Sequence, residues 1–131
     1  MNWINYFEKY SSDRMLLASI EAEIGRLEHY GKESNRLDSL RSAASSLKSS
    51  VLSAEAFLDD YVTCASCPKE AGRRAQERLY LKLRYRQGLT MEATAEAMDV
   101  SRDTAYRIRR RIIGRGDIFS ADPRSAPAAR S

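Results

Sequence analysis

Little in this chain interrupts a helix. It holds three prolines and six glycines in 131 residues, and these two residue types are the main breakers of regular helix. Most of them sit at positions that read as boundaries, such as Gly31, Pro68 and Gly88. No apolar run approaches the roughly 18 residues needed to span a bilayer, and no signal-peptide pattern opens the chain. The expectation is a cytoplasmic protein with no membrane partner. Cysteine is scarce as well: Cys64 and Cys67 form a single C-x-x-C pair, and His29 is the only histidine. One such pair does not supply the four ligands of a structural zinc, although two pairs brought together in a dimer would. A thioredoxin-like role needs a neighbouring strand–helix context that is missing. The cysteines therefore read as reduced residues at a helix junction, and no metal site is expected. There is no glycine-rich phosphate loop, no Ser/His/Asp constellation and no paired carboxylates. The chain does not read as an enzyme, and no cofactor is expected.

What is present is charge, unevenly placed. Charged residues make up 31% of the chain and hydrophobic ones 43%, a balance that suits a folded helical protein. Residues 1–67 carry 7 Lys+Arg against 10 Asp+Glu, residues 68–115 carry 13 against 6, and residues 116–131 carry 2 of each. An acidic part joined to a strongly basic one implies a division of labour, with a polyanion facing the basic part. The length fits one domain, or two small helical units around a common core.

The apolar spacing is helical throughout, so the fold class is all-α. Trp3, Tyr6, Phe7 and Tyr10 share one face of a helix that Asn2 is placed to cap, and these aromatics read as core. Leu17, Ile20, Ile24 and Leu27 continue the stripe, and the intervening Ser11–Ser12–Asp13 either restarts the helix or is passed through. Gly31 is the natural stop, with Ser34 or Asn35 as the next cap. Then Leu37, Leu40, Ala44, Leu47, Val51, Ala54, Leu58 and Tyr61 recur at alternating steps of three and four, the seam of a coiled coil or a long helical hairpin. Pro68 suits the first position of the next helix, in which Leu79, Leu83 and Tyr80 are expected to face inward before Gly88.

The densest pattern is "GLTMEATAEAMDVSRDTAYRIRRRII", residues 88–113. Thr90 is placed to cap a short helix over 91–98, with Glu92 in its first turn. Ala95 is small where a second helix must cross, and Asp99 tolerates the left-handed conformation a tight turn requires. Ser101 caps the next helix, in which Ala105, Ile108 and Ile112 share one face. Arg102, Asp103, Tyr106, Arg107 and Arg110 are left on other faces. This is helix-turn-helix grammar, in which one helix braces and the next presents its outer face to a major groove. Arginine suits that duty because a guanidinium grips a guanine edge or a phosphate. Arg102, Tyr106, Arg107 and Arg110 are placed for base edges or the groove wall, and Arg109 and Arg111 for flanking phosphates. Asp103 fits two roles, accepting from a cytosine amino group or complementing the helix N-terminus. With Thr90, Ser101 and Thr104 these form the candidate DNA-binding set; Lys82, Arg84 and Arg86 are further backbone-contact candidates.

The stretch "LRYRQGLTMEATAEAMDVSRDTAYRIRRRII" resembles the helix-turn-helix of sigma factor region 4. With the helical hairpin before it, the chain resembles the small phage-encoded late transcriptional regulators of the RinA/ArpU type. The motif resemblance covers roughly residues 75–113. It departs from the family at Thr94, where an apolar branched residue is usual, at Asp99 in place of glycine, and at Ala105 in place of valine or isoleucine. The resemblance implies a sequence-specific regulator that binds promoter DNA through residues 101–113 and activates late genes, with RNA polymerase as a further partner.

The organisation expected is a helical hairpin over 1–67 for self-association, a helix-turn-helix unit over 68–115, and a flexible tail over 116–131. The Leu17–Leu27 stripe is shorter than the seam it covers. Apolar surface is therefore expected to remain near Val51–Tyr61, covered either by the helix before the DNA motif or, as the favoured reading, by a second subunit in a homodimer. A purely structural coiled-coil protein would leave the arginine cluster unexplained, and two other readings remain open from sequence. One is a sigma-like subunit that acts only with polymerase; the other is a DNA-packaging adaptor of the small-terminase kind.

Overall fold

The computed structural model describes residues 2–31, 35–62 and 67–116. Among these residues are five α-helices, one π-helical segment and no strand. Helix α1 (Trp3–His29) begins where the Asn2 side-chain oxygen accepts from the Asn5 amide at 2.8 Å, and it runs through Ser11–Ser12–Asp13 without a break. Gly31, at φ +67°, ends it in the left-handed conformation that glycine adopts without a Cβ clash. Helix α2 (Asn35–Asp60) returns alongside α1 as the second arm of the hairpin. Ser34, the alternative cap, lies outside the described residues, and Asn35 is already the first residue of α2.

The two ends of the hairpin differ. At the end near the termini, the Trp3 ring meets Tyr61 edge-on at 4.9 Å, Tyr6 meets Phe57 at 5.6 Å, and Phe7 meets Tyr10 at 5.7 Å. Edge-to-face packing of this kind adds to the area the rings bury. Val51, Ala54, Leu58 and Tyr61 are buried there, joined in one core with Tyr80, Leu81, Tyr85, Ile108 and Ile112. The seam near Val51–Tyr61 is therefore covered within the chain, although Leu52 beside it stays exposed. The aromatics of α1 and the helices of the C-terminal unit supply a third layer over it. The uncovered part lies at the other end, where only two helices meet. Leu17, Ile20, Ile24 and Leu27 of α1, with Leu40, Ala44 and Leu47 of α2, are only half-buried.

Helix α3 (Pro68–Leu81) starts with Pro68 in its first turn, where a missing amide hydrogen costs nothing. It passes directly into a π-helical segment, Lys82–Arg86, in which the Gln87 amide reaches back five residues to the Lys82 carbonyl at 2.9 Å. The segment ends at Gly88, φ +71°. The inward face of α3 is Glu77, Tyr80 and Leu81, not Leu79. Leu79 points to the opposite side of the helix and is 43% exposed. The widened turn brings Tyr85 inward as well, and Leu83 is buried as expected. Helices α4 (Met91–Ala97) and α5 (Arg102–Ile113) complete the unit, with α5 packed against α1, α3 and α4.

Candidate nucleic-acid interface

The α4–turn–α5 unit is built from local chemistry. Thr90 caps α4 by accepting from the Ala93 amide at 3.1 Å, and Ser101 caps α5 by accepting from the Thr104 amide at 3.1 Å. The Ser101 and Thr104 hydroxyls also lie 2.9 Å apart. Between the helices Asp99 takes φ 57°, the left-handed turn position, and the Val100 amide donates to the Ala95 carbonyl at 3.0 Å. Ala95 and Ala105 are both buried, small residues where the two helices cross. Thr94 is fully buried beside them, and its hydroxyl has no hydrogen-bond partner among the described residues. A valine there would fill the same volume without that orphaned oxygen.

Helix α5 divides cleanly. Ala105, Ile108 and Ile112 are buried, and Arg102, Asp103, Tyr106, Arg107 and Arg110 are exposed. At about 100° per residue, the exposed five sweep an arc of about 140° facing away from the core. Among the described residues neither Arg107 nor Arg110 has an ion-pair partner. Arg102 is loosely held: its guanidinium lies 3.3 Å from Glu92 at the start of α4, and 6.0 Å from the centre of the Tyr106 ring. Both members of that pair are open to water, so it orients Arg102 more than it stabilises the fold.

The flanks behave differently. Arg109 is half-buried on the side of Tyr80 and Tyr85. Burial pushes both phenols up, Tyr85 to about 12, with Arg84 and Arg109 pulling the other way. Arg111, expected at a flanking phosphate, is engaged inside the fold. It donates from Nε to Glu77 at 2.6 Å and from Nη2 to the Gln76 side chain at 2.7 Å. Arg84 likewise holds the chain before α4, donating to the Leu89 carbonyl at 2.6 Å, while Arg86 stays exposed and Lys82 half-buried.

Sequence reasoning missed Glu77 altogether. Its side chain is fully buried and accepts from the Tyr61 hydroxyl of α2, from Arg111 of α5, and from Arg115 just beyond α5. Arg115 also pairs with Glu70 at 2.6 Å. Burial pushes the Glu77 carboxyl up, but hydrogen bonds from Arg115, Tyr61 and Arg111 outweigh it and hold the group below the usual carboxylate range. The same contacts raise Arg115 above its ordinary value. This hub fixes the C-terminal end of α5 to α3 and to the hairpin. The one available signal was a lone acid in a basic stretch, "GRRAQERLYLKLRYR".

Cys67 is exposed at the start of α3 and makes no side-chain cap; Cys64 lies outside the described residues. Residues 117–131 of the expected tail lie outside them too. No helix among the described residues is long and apolar enough to cross a membrane.

Residues 73–118 match the family described as the Homeodomain-like domain, a helix-turn-helix fold that binds DNA. The matched span begins within α3 and takes in the π-helical segment, α4 and α5. Comparison with curated proteins and with solved structures finds no match for the chain.

Proposed function

We propose that this protein is a sequence-specific regulator of transcription that lays α5 in the major groove of promoter or operator DNA. One observation carries the reading. The solvent face of α5 presents Arg107 and Arg110 without ion-pair partners among the described residues, flanking Tyr106, on a helix whose opposite face is locked into the core. Uncommitted guanidiniums on a rigid helix are the chemistry that reads guanine edges, each bidentate contact contributing roughly 1–3 kcal/mol of discrimination. Arg102, steadied by Glu92, is placed at the leading end of the helix for a further base or phosphate contact. Arg109 and Arg86 suit phosphates at the sides. Arg111 belongs to the scaffold.

The resemblance to phage late regulators supports a finer reading, a phage or prophage late-gene activator with RNA polymerase as a second partner. The test uses the full chain alone. Duplexes selected from a random pool should converge on one motif, and affinity for it should fall with salt at a slope of roughly −0.9 per neutralised phosphate. Convergence only when polymerase is added would replace this reading with a sigma-like subunit. No convergence in either condition would end it.

A further inference from the structure

The half-open end of the hairpin carries a groove that none of the described residues fills. It has a volume of about 400 Å³ and runs between α1 and α2. Its α1 edge is acidic, with Glu21 and Glu28; its α2 edge is basic, with Arg41 and Lys48. Gly25 and Ala44 form part of its floor. Glu28 and Arg41 face each other across the hairpin at 2.7 Å. Glu21 and Lys48, each seven residues further on, lie level with one another, are exposed, and have no ion-pair partner among the described residues. Gly25 is the more telling residue. Glycine within a helix is less favourable than alanine by about 1 kcal/mol, yet a Cβ added there would meet nothing within 4 Å. No contact among the described residues asks for a glycine at this point.

We infer that this groove is the interface of a homodimer, filled by the same groove of a second copy. A face with one acidic and one basic edge is complementary to itself under a two-fold rotation. An axis parallel to the hairpin lays α1 of one copy over α2 of the other, so that Glu21 meets Lys48 twice over, beside the Glu28–Arg41 pair that each copy already forms within itself. Gly25 and Ala44 allow the helices to approach closely, and the half-buried Ile20, Ile24, Leu40 and Leu47 complete a four-helix bundle. The same axis leaves both copies of α5 at one end of the bundle, as reading two half-sites requires; this last consequence rests on the DNA reading above, whereas the dimer does not. Two helices about 20 Å long and about 10 Å wide offer about 400 Å² per copy, about 800 Å² in total, which is in the range of weak, transient contacts. An interface of that size fits a weak, reversible dimer.

Sedimentation of the full chain over a concentration range, without DNA, tests this, with far-UV circular dichroism confirming that each variant is folded. Wild type should pass from monomer to dimer. Glu21→Lys and Lys48→Glu should each weaken association roughly tenfold, since each turns two attractive pairs into repulsive ones. The two together should restore it. Gly25→Leu should weaken association while leaving the helix at least as stable. A wild type monomeric at every concentration, single reversals that associate like wild type, or a double reversal no better than the singles would overturn the inference. Because DNA is absent, failure here leaves the reading of α5 standing, and failure of DNA binding leaves the dimer standing.

Discussion

Replacing Glu77 with glutamine keeps the shape of the side chain and removes its charge, which isolates the work of the carboxylate. Four donor atoms on three residues converge on it: the Tyr61 hydroxyl, Arg111 Nε, and Arg115 Nε and Nη2. Breaking a buried ion pair by removing one partner typically costs about 3–5 kcal/mol. Here the side chains of Arg111 and Arg115 retain 33% and 16% of their exposure, so water partly compensates them and the lower figure, about 3 kcal/mol, applies. That is a large share of a total of about 5–15 kcal/mol. With a urea slope of about 1–3 kcal/mol per molar, the midpoint of unfolding at pH 7 should drop by about 1–3 M when followed by far-UV circular dichroism. The pH dependence provides a second reading. Glu77 is depressed in the fold, so its contribution is present above its unfolded value of about 4.3 and is lost as pH falls through the lower folded value. The gap between wild type and Glu77→Gln should hold from pH 7 to about 5 and narrow progressively as pH falls below the unfolded value of about 4.3. A midpoint shift smaller than about 0.3 M, or a gap that persists into acid, would refute the argument that this hub anchors α5.

Three further outcomes are expected. Arg107→Ala should lose roughly 1–3 kcal/mol of binding on a specific site with an unchanged melting temperature, whereas Arg111→Ala should lower stability by about 1–2 kcal/mol; comparing affinity with thermal melts separates them, and identical behaviour in both assays would mean the two faces of α5 are misassigned. Thr94→Val should raise stability by about 1 kcal/mol, because it removes a buried hydroxyl without a partner; a lower urea midpoint would show that the hydroxyl is satisfied. Burial, aided by Glu55, pushes Tyr10 up to about 12, burial does the same to Tyr85, and Tyr61 and Tyr80 are raised as well. Each contribution is complete below the unfolded value of about 10 and is lost as pH rises through the folded one, so the melting temperature should fall above pH 10 and four of the seven tyrosines should ionise late by ultraviolet absorbance.

The parts of this fold legible in the sequence are those decided by neighbouring residues. Asn2, Thr90 and Ser101 were readable as caps because a short polar side chain meets the amide three residues on. Gly31, Gly88 and Asp99 were readable as turns because few residues accept a positive φ. The buried face of α5 followed from the spacing of Ala105, Ile108 and Ile112. What stayed hidden depends on distant partners. Leucine at position 79 looked a better core residue than glutamate at 77, but Glu77 meets donors 16, 34 and 38 residues away that pay for its burial. Arg109, Arg110 and Arg111 are chemically alike and consecutive, and only the position of α3 gives the last of them a carboxylate. The seam from Leu37 to Tyr61 is uniform in sequence and uneven in burial, because periodicity identifies the face of a helix without saying what covers it.

The core that runs from Trp3 to Ile112 separates two meanings of the word module. By pattern the helix-turn-helix unit is the span 73–118, a piece of chain that comparison lifts out whole. By energetics it has no such edge, since Tyr80, Tyr85, Ile108 and Ile112 are sealed by rings that belong to the first ten residues and by the far end of α2. Cutting at the pattern boundary would strip the recognition helix of one wall of its packing, together with the Tyr61 hydroxyl that completes the Glu77 hub. The hairpin is therefore less a separate handle than the other half of the core on which α5 rests.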